Sequence, residues 1–232
     1  MTMSVPSGLA VATLAGLLLV SGGSSQPEGS AYDGPQRIDL TASAHPTPVA
    51  NAHDTAYRVD TAQGVRVRAA TTSTASATCR RCSGRAVSVH VLYLDRAPVM
   101  RLDNVAVAWT QGCARCRATA VSIQVVVVTD PGVMKPNNRA LSVTAVCTHC
   151  RARAAAYQLV VDGASASRLS DAALDSLRAW GEARTRLLRD RSSYLAQRSG
   201  SGKARSLDTL AQLVDRDLGA HVVAARARLS GR

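Results

Sequence analysis

The sequence predicts an α+β protein, in which an antiparallel β-sheet of repeated hairpins precedes an antiparallel pair of helices. Three Cys-x-x-Cys motifs recur with a period of 34 residues, and each is followed by alternating apolar and polar residues. After Asp162 this alternation stops, and apolar residues recur at helical spacing. A fixed period of this size is typical of a supersecondary unit that buries its apolar face by stacking on its neighbours.

Residues 1–22 have the features of a signal peptide. The apolar run from Gly8 to Val20 is too short for a comfortable membrane span, and Val20-Ser21-Gly22 supplies small residues for cleavage. We therefore predict a secreted or extracytoplasmic protein of the cell envelope, although no Lys or Arg precedes the run. The alternatives are an uncleaved anchor and a buried helix. Membrane contact is expected at most through an uncleaved N-terminal segment.

Residues 23–55 are rich in Ser, Gly, Pro, Thr and Ala, and we predict a flexible linker there because prolines interrupt any regular element. A β-domain is predicted over residues 56–163, with a leading hairpin from Tyr57 to Arg68. In each repeat, an up-strand such as Val87–Tyr93 is followed by a turn. A return strand such as Val105–Trp109 then leads to the next cysteine pair. The alternation indicates strands with one buried face.

Each Cys-x-x-Cys is predicted to close on itself as a structural disulfide. A β-turn brings residues i and i+3 within about 7 Å, and a disulfide needs Cα atoms about 4.4–6.8 Å apart. Export would place the thiols in an oxidising compartment. Links between repeats are not expected, because hairpin units of two strands would lie about 10 Å apart. The three predicted pairs are Cys79–Cys82, Cys113–Cys116 and Cys147–Cys150.

Zinc and thiol redox chemistry are the alternatives for these cysteines. Two Cys-x-x-Cys pairs can form a tetrahedral Cys₄ site, but three pairs leave one over and arginines crowd all of them. A redox-active pair usually lies at a helix N-terminus, whereas each pair here precedes a predicted strand. We therefore predict no metal and no cofactor, and keep an exported zinc–thiolate or thiol-redox protein as the alternative.

No catalytic motif is recognisable in the sequence. It contains neither His-Glu-x-x-His nor Gly-x-Ser-x-Gly, and His90 and His221 have no evident acid or nucleophile partner. We therefore predict that the protein is not an enzyme. The leading hypothesis is a non-catalytic structural or binding module of the cell envelope.

The formal net charge is +12, and nearly all of the basic residues are arginines. Nucleic acid is not expected as a partner, because basic and aromatic residues are not interleaved as in proteins that stack bases. Arginines beside the cysteines form a candidate anion-binding rim for an anionic envelope polymer or an acidic protein. The alternative is a solvated charged edge that discourages strand pairing. The rim comprises Arg80, Arg81, Arg115, Arg117, Arg151 and Arg153.

Residues 168–230 are predicted to form a helical hairpin. Ser170 is placed to cap the first helix, and the Ser199–Gly202 segment breaks it. Ser206 is placed to cap the second helix, whose apolar stripe runs on to Leu229. The helices are expected to cover the apolar face of the sheet, since that face needs a cover.

The repeats resemble a family. The run from Ala106 through Cys113 and Cys116 to Val128, followed by Cys147-Thr-His-Cys150, is similar to a repeat of actinobacterial exported proteins of unknown function. It also resembles the C-terminal part of actinobacterial peptide zinc metalloproteases. The resemblance covers roughly residues 57–162 and implies an extracytoplasmic module. It carries no proteolytic activity across, because the zinc motif of the protease domain is absent from these residues.

Overall fold

The structure, a computed structural model, describes residues 35–95, 97–129, 132–163 and 168–231. The described residues form nine strands and three helices. The strands are β1 (Pro35–Ala44), β2 (Ala52–Gln63), β3 (Arg66–Ala77), β4 (Ser83–Asp95), β5 (Val99–Gln111), β6 (Arg117–Thr129), β7 (Val133–Ala145), β8 (Arg151–Asp162) and β9 (His221–Gly231). The helices are α1 (Asp171–Arg189), α2 (Arg191–Arg198) and α3 (Gly200–Leu218). The predicted signal peptide lies outside the described residues.

The strands form two sheets between which the chain alternates. Sheet 1 has the order β1-β3-β5-β7, and sheet 2 has the order β2-β4-β6-β8-β9. All pairs except β8–β9 are parallel, and equivalent residues of successive repeats lie side by side, as Val87, Val121 and Ala155 do. One strand of each sheet makes one coil, and four coils stack into a β-solenoid.

The 34-residue repeat is confirmed, but the antiparallel hairpins predicted from it are wrong. The return strand does not pair with its own up-strand; it enters the other sheet and pairs with the return strand of the next coil, as β5 does with β7. The proposed leading hairpin likewise consists of β2 and β3, which belong to different sheets. Alternation and turn residues are the same in both topologies, so they do not reveal which strands pair.

The first coil begins inside the segment predicted as a linker. From Pro35 onward this segment contains β1 and the start of β2, while residues before Pro35 lie outside the described part of the chain. Ile38 and Leu40 are buried and alternate with exposed residues. Proline is tolerated at Pro35 because it begins a strand at the edge of sheet 1. Together with Ala42 and Ala44, Ile38 and Leu40 give β1 four buried apolar side chains at period 2, which form its inner face.

The space between the sheets is divided into three zones. Near the cysteines it is filled by small side chains, mostly alanines such as Ala86 and Ala120. At the opposite end it holds larger aliphatic residues such as Leu92 and Leu102. Between these zones lies a buried polar zone of Thr71, Ser73, Ser88, His90, Asn104, Ser122, Gln124, Asn138 and Gln158.

The polar zone shows that β4, β6 and β8 are buried on both faces, and not on one face as predicted. Ser88 shares hydrogen bonds with Ser73 at 2.8 Å and with Ser122 at 3.0 Å. Gln158 donates to the Gln124 side chain at 2.8 Å. Like residues in register therefore pair their side chains from coil to coil, which offsets the cost of burying them.

The helices cover the outer face of sheet 2, whose valines face away from sheet 1. Leu177 and Leu210 are fully buried against this face, and Trp180 meets the Tyr157 ring edge-on at 5.0 Å. Ser170 is the N-cap of α1, as predicted, and its hydroxyl accepts a hydrogen bond from the Ala173 N–H.

The second predicted helix is corrected in two ways. It begins after Ser199, which caps α3, and Ser206 lies buried within that helix. It ends at Leu218, because Gly219 adopts a left-handed conformation with φ 53° and its N–H bonds to the Asp215 carbonyl. The following residues form β9, which pairs with β8. Among the described residues, none of the helices is long and apolar enough to cross a membrane.

Candidate functional site at the cysteine corners

The cysteine motifs form the corners at which the chain passes from sheet 1 to sheet 2. The third residue of each motif has a left-handed backbone, with φ of 61° at Arg81, 57° at Arg115 and 56° at His149. Such conformations are unfavourable for residues other than glycine, so the surrounding corner must hold them. The N–H groups of Arg81 and Arg115 each donate at 2.8 Å to a carbonyl of the next corner. The three corners therefore stack as a column.

Close packing also fixes the start of the strand after the first corner. A Cβ atom on Gly84 would lie 2.2 Å from the Ser76 carbonyl oxygen and 3.0 Å from that of Ala44. Glycine is the one residue that fits at this approach of two backbones. The first cysteine corner, which belongs to the second coil, therefore packs directly against the end of β1 in the first coil.

Two cysteine pairs lie at disulfide bonding distance. The sulfur atoms are 2.14 Å apart in Cys79–Cys82 and 2.09 Å apart in Cys113–Cys116. Cys82 and Cys116 are buried among the alanines of the small-residue zone. The third pair differs from the prediction, because Cys147 and Cys150 are free thiols in this structure.

Sulfur atoms of neighbouring corners approach closely, which the hairpin topology excluded. The Cys113 sulfur lies 3.3 Å from that of Cys147 and 3.6 Å from that of Cys150. The reason is that neighbouring repeats are one strand spacing apart, about 4.8 Å, and not the two spacings expected of hairpins. Exchange between corners is therefore sterically accessible.

The two free thiols have pKa values shifted in opposite directions. Burial raises the pKa of Cys147, but hydrogen bonds from Cys150, the Cys113 backbone and Thr110 outweigh burial and lower it. Burial and the hydrogen bond to Cys147 both raise the pKa of Cys150. These opposite shifts make Cys147 the more acidic of the two thiols.

A metal-ligand geometry is also present in the column. The sulfur atoms of Cys113, Cys116 and Cys150 all lie within 4.8 Å of one another, and Cys147 adjoins Cys113. Four thiolates from two Cys-x-x-Cys motifs are the donor set of structural zinc. These residues fit the ion only when the Cys113–Cys116 pair is reduced.

Five of the six predicted rim arginines are exposed around the column. Arg81 and Arg115 occupy equivalent corner positions, Arg117 and Arg151 are register neighbours, and Arg80 is exposed beside them. Arg153 is the exception, since only 4% of it is exposed.

Arg153 has a structural role and does not belong to the rim. Its guanidinium donates to the carbonyls of Leu188 and Asp190 and lies 4.5 Å from the centre of the Tyr194 ring. It thus joins sheet 2 to the ends of α1 and α2. Arg151, two residues earlier on the same face of β8, is exposed, and nothing in the sequence distinguishes the two arginines.

His90 has partners that the sequence did not reveal. Its Nε2 lies 2.7 Å from the Asp60 carboxylate, and its Nδ1 lies 3.0 Å from the Thr71 hydroxyl. The residue types match a nucleophile, base and acid, but Thr71 and His90 are both fully buried. Thr71 and His90 belong to the buried polar zone, whereas 25% of the Asp60 side chain is exposed at the edge of that zone.

Sequence reasoning also missed a row of cations on the outer face of sheet 1. Arg37, Arg68, Arg101 and Lys135 are register neighbours on the four strands. They are separated by 31, 33 and 34 residues, so a search with the fixed period of 34 finds one of the three steps. Allowing for shorter early coils would have aligned all four.

Comparison with known protein families, curated proteins and solved structures returns no match to this chain. The class of protein is therefore defined by the fold and the corners: a two-sheet β-solenoid with a column of stacked Cys-x-x-Cys corners and a helical cover on one face.

Proposed function

We propose that the protein is an exported, non-catalytic structural or binding module of the cell envelope, with corners closed by disulfides. The observation that carries this proposal is the corner column, in which two Cys-x-x-Cys pairs have sulfur atoms at bonding distance. Disulfides persist in oxidising compartments and are rare in the cytosol. The signal-peptide features of residues 1–22 and the resemblance to actinobacterial exported proteins support the same location.

The interior supports a non-catalytic role. Buried polar residues such as Asn104 and Ser122 bond to one another between the two sheets and are fully buried. Exposed arginines at the corners offer a surface for an anionic envelope polymer or an acidic protein. The proposed module is thus a rigid stack that presents charged surfaces.

The disulfide proposal is tested on protein recovered from an oxidising compartment. Non-reducing peptide mapping should give Cys79–Cys82 and Cys113–Cys116, and we expect Cys147–Cys150 to close in the same way when oxidised. Small loops constrain the unfolded chain modestly, so reduction should lower the melting temperature by only a few degrees per bridge. Six free thiols in exported protein would refute the proposal.

A second candidate is a zinc–thiolate or thiol-redox protein, favoured by the sulfur cluster of Cys113, Cys116 and Cys150. In the redox version, the Cys147 thiolate attacks the Cys113 sulfur. A Cys113–Cys147 bond then forms, the Cys113–Cys116 bond breaks, and Cys116 leaves as the thiolate. This exchange needs no external oxidant.

Metal analysis separates the candidates. Protein reduced and then dialysed against zinc should hold about one ion per chain under the second candidate, and the Cys147→Ser/Cys150→Ser variant should hold none. Oxidised protein with three intramotif disulfides and no bound zinc would leave the first proposal standing and remove the second.

A further inference from the structure

We propose that the outer face of sheet 1 binds a linear acidic polysaccharide along the basic row, defined as Arg37, Arg68, Arg101 and Lys135. This inference rests on the proposed function, since it names the partner class and moves its binding site from the cysteine corners to this face. All four side chains are exposed, and register pairing places them side by side on adjacent strands.

The spacing of the row is set by the solenoid. Adjacent strands lie about 4.8 Å apart, so four cations in register extend about 14 Å along the stack. Like charges placed directly opposite one another destabilise a sheet. Stability alone therefore does not account for four of them in one line.

Most of the row lacks internal counter-ions. Arg37 is paired with Asp39 at 2.6 Å, but no carboxylate of the described residues lies within ion-pair distance of Arg68, Arg101 or Lys135. Arg66 adds a fifth cation, and the basic side chains around it border a surface depression of about 260 Å³. Guanidinium groups bind carboxylate and sulfate through two parallel hydrogen bonds, which fits an anionic ligand here.

The surroundings of the row favour a linear chain over a flat membrane surface. Two residues farther along each strand, the next set of register neighbours contains Asp39 on β1, Ala70 on β3 and Asp103 on β5. The basic strip is therefore narrow and has acidic groups along one side. A plane of anionic headgroups would meet these carboxylates, whereas a single chain running along the stack follows the cations and avoids them.

The surroundings also disfavour single-stranded nucleic acid. Trp109 is the one aromatic residue in the four strands of sheet 1. It lies eight residues along β5 from Arg101, about 26 Å away at 3.3 Å per residue. Binding of bases relies on aromatic stacking, which the row does not offer. Sugars with regularly placed carboxylate or sulfate groups need only the charges.

The test measures binding of sulfated and carboxylated oligosaccharides of defined length, with heparin fragments and oligogalacturonates as probes. Affinity for the full chain should rise with length until the probe spans about 14 Å and then level off. Arg68→Gln/Arg101→Gln should weaken binding on the order of tenfold or more. When the logarithm of the binding constant is plotted against the logarithm of the salt concentration, the slope should be shallower by about 1 to 2 in this variant. Asp103→Asn should strengthen binding.

The matched control is Arg186→Gln/Arg216→Gln, which removes two exposed arginines from the helices that cover sheet 2 and leaves the row intact. It should bind the probes as the unaltered protein does. If Arg81→Gln/Arg115→Gln loses binding and the row variant keeps it, the row inference is overturned while the proposed anion-binding corners stand. If the unaltered protein binds no acidic oligosaccharide, both anionic assignments fail. Stronger binding to oligodeoxythymidine or to anionic vesicles would overturn the assignment to polysaccharide.

Discussion

Asn104 donates a hydrogen bond to the side chain of Asn138 at 2.8 Å, across a separation of 34 residues. The two amides occupy the same position in consecutive coils and lie in the buried polar zone. Asn104 also donates to the Tyr157 carbonyl at 2.8 Å and accepts from the Ser122 hydroxyl at 2.6 Å. One side chain thus connects the two sheets and two coils.

Replacing Asn104 by alanine should therefore be costly. The change leaves several buried polar groups without partners, and each costs about 1–3 kcal/mol. We expect the free energy of unfolding in urea to fall by about 2–4 kcal/mol. Asn137→Ala is the matched control, because Asn137 is half-buried and bonds to Asp103 at the surface. The control should change stability by about 0.5 kcal/mol or less. Equal losses of stability in the two variants would contradict the bridging role of Asn104 in the buried polar zone.

The sequence was sufficient to predict the repeat, its strands, the buried valine face of the up-strands, and the helical cover. Pairing was not predictable, because an even period of 34 keeps equivalent residues on one face in either topology. The position of Ser88 illustrates the consequence: alternation with valine indicated a solvated face, yet a second sheet covers it. The recurrence of one polar residue type at the repeat period, as at Ser88 and Ser122, could have indicated buried side chains that bond to one another from coil to coil.

Three other features were not predicted, each for a different reason. The apolar residues after Gly219 match a helical stripe as well as a strand, and β9 forms because β8 offers it an unpaired edge. The Cys147–Cys150 state was not predictable either, since it depends on the contact with Cys113 across the corner. The basic row was hidden because the first coils are shorter than the later ones.

Stability should depend on pH through His90. Burial lowers the pKa of His90, and the hydrogen bond to Asp60 raises it by less. The folded protein therefore binds this proton less readily than the unfolded chain, whose histidine has a pKa of about 6.5. The contribution to stability is fully present above about pH 6.5 and is lost as the pH falls toward the folded pKa.

The variant His90→Gln removes this titration and extends the glutamine column of Gln124 and Gln158. Urea unfolding measured from pH 7.5 to pH 5 should show a shallower loss of stability in the variant than in the unaltered protein. His221→Gln, at an exposed position, serves as the control and should leave the slope unchanged. A pH slope unaffected by the loss of His90 would refute the assignment.

The two free thiols should differ in reactivity. The pKa of Cys147 is lowered and that of Cys150 is raised, so the thiolate population at pH 7 is larger at Cys147. Brief treatment with iodoacetamide should label Cys147 first, as measured by peptide mass spectrometry. In Cys150→Ala, Cys147 should react more slowly, because the variant removes the hydrogen-bond donor that stabilises the Cys147 thiolate. Preferential labelling of Cys150 in the unaltered protein would contradict the assignment of Cys147 as the more acidic thiol.

The column of corners and the basic row both depend on parallel stacking in which each coil contributes one strand to each sheet. Amide-to-amide nuclear Overhauser contacts in deuterated protein test this stacking directly. Parallel stacking predicts contacts of Val121 with Val87 and with Ala155, each 34 residues away. Contacts between the amides of β6 and β7 in an antiparallel pattern, with those of β4 and β6 absent, would contradict it.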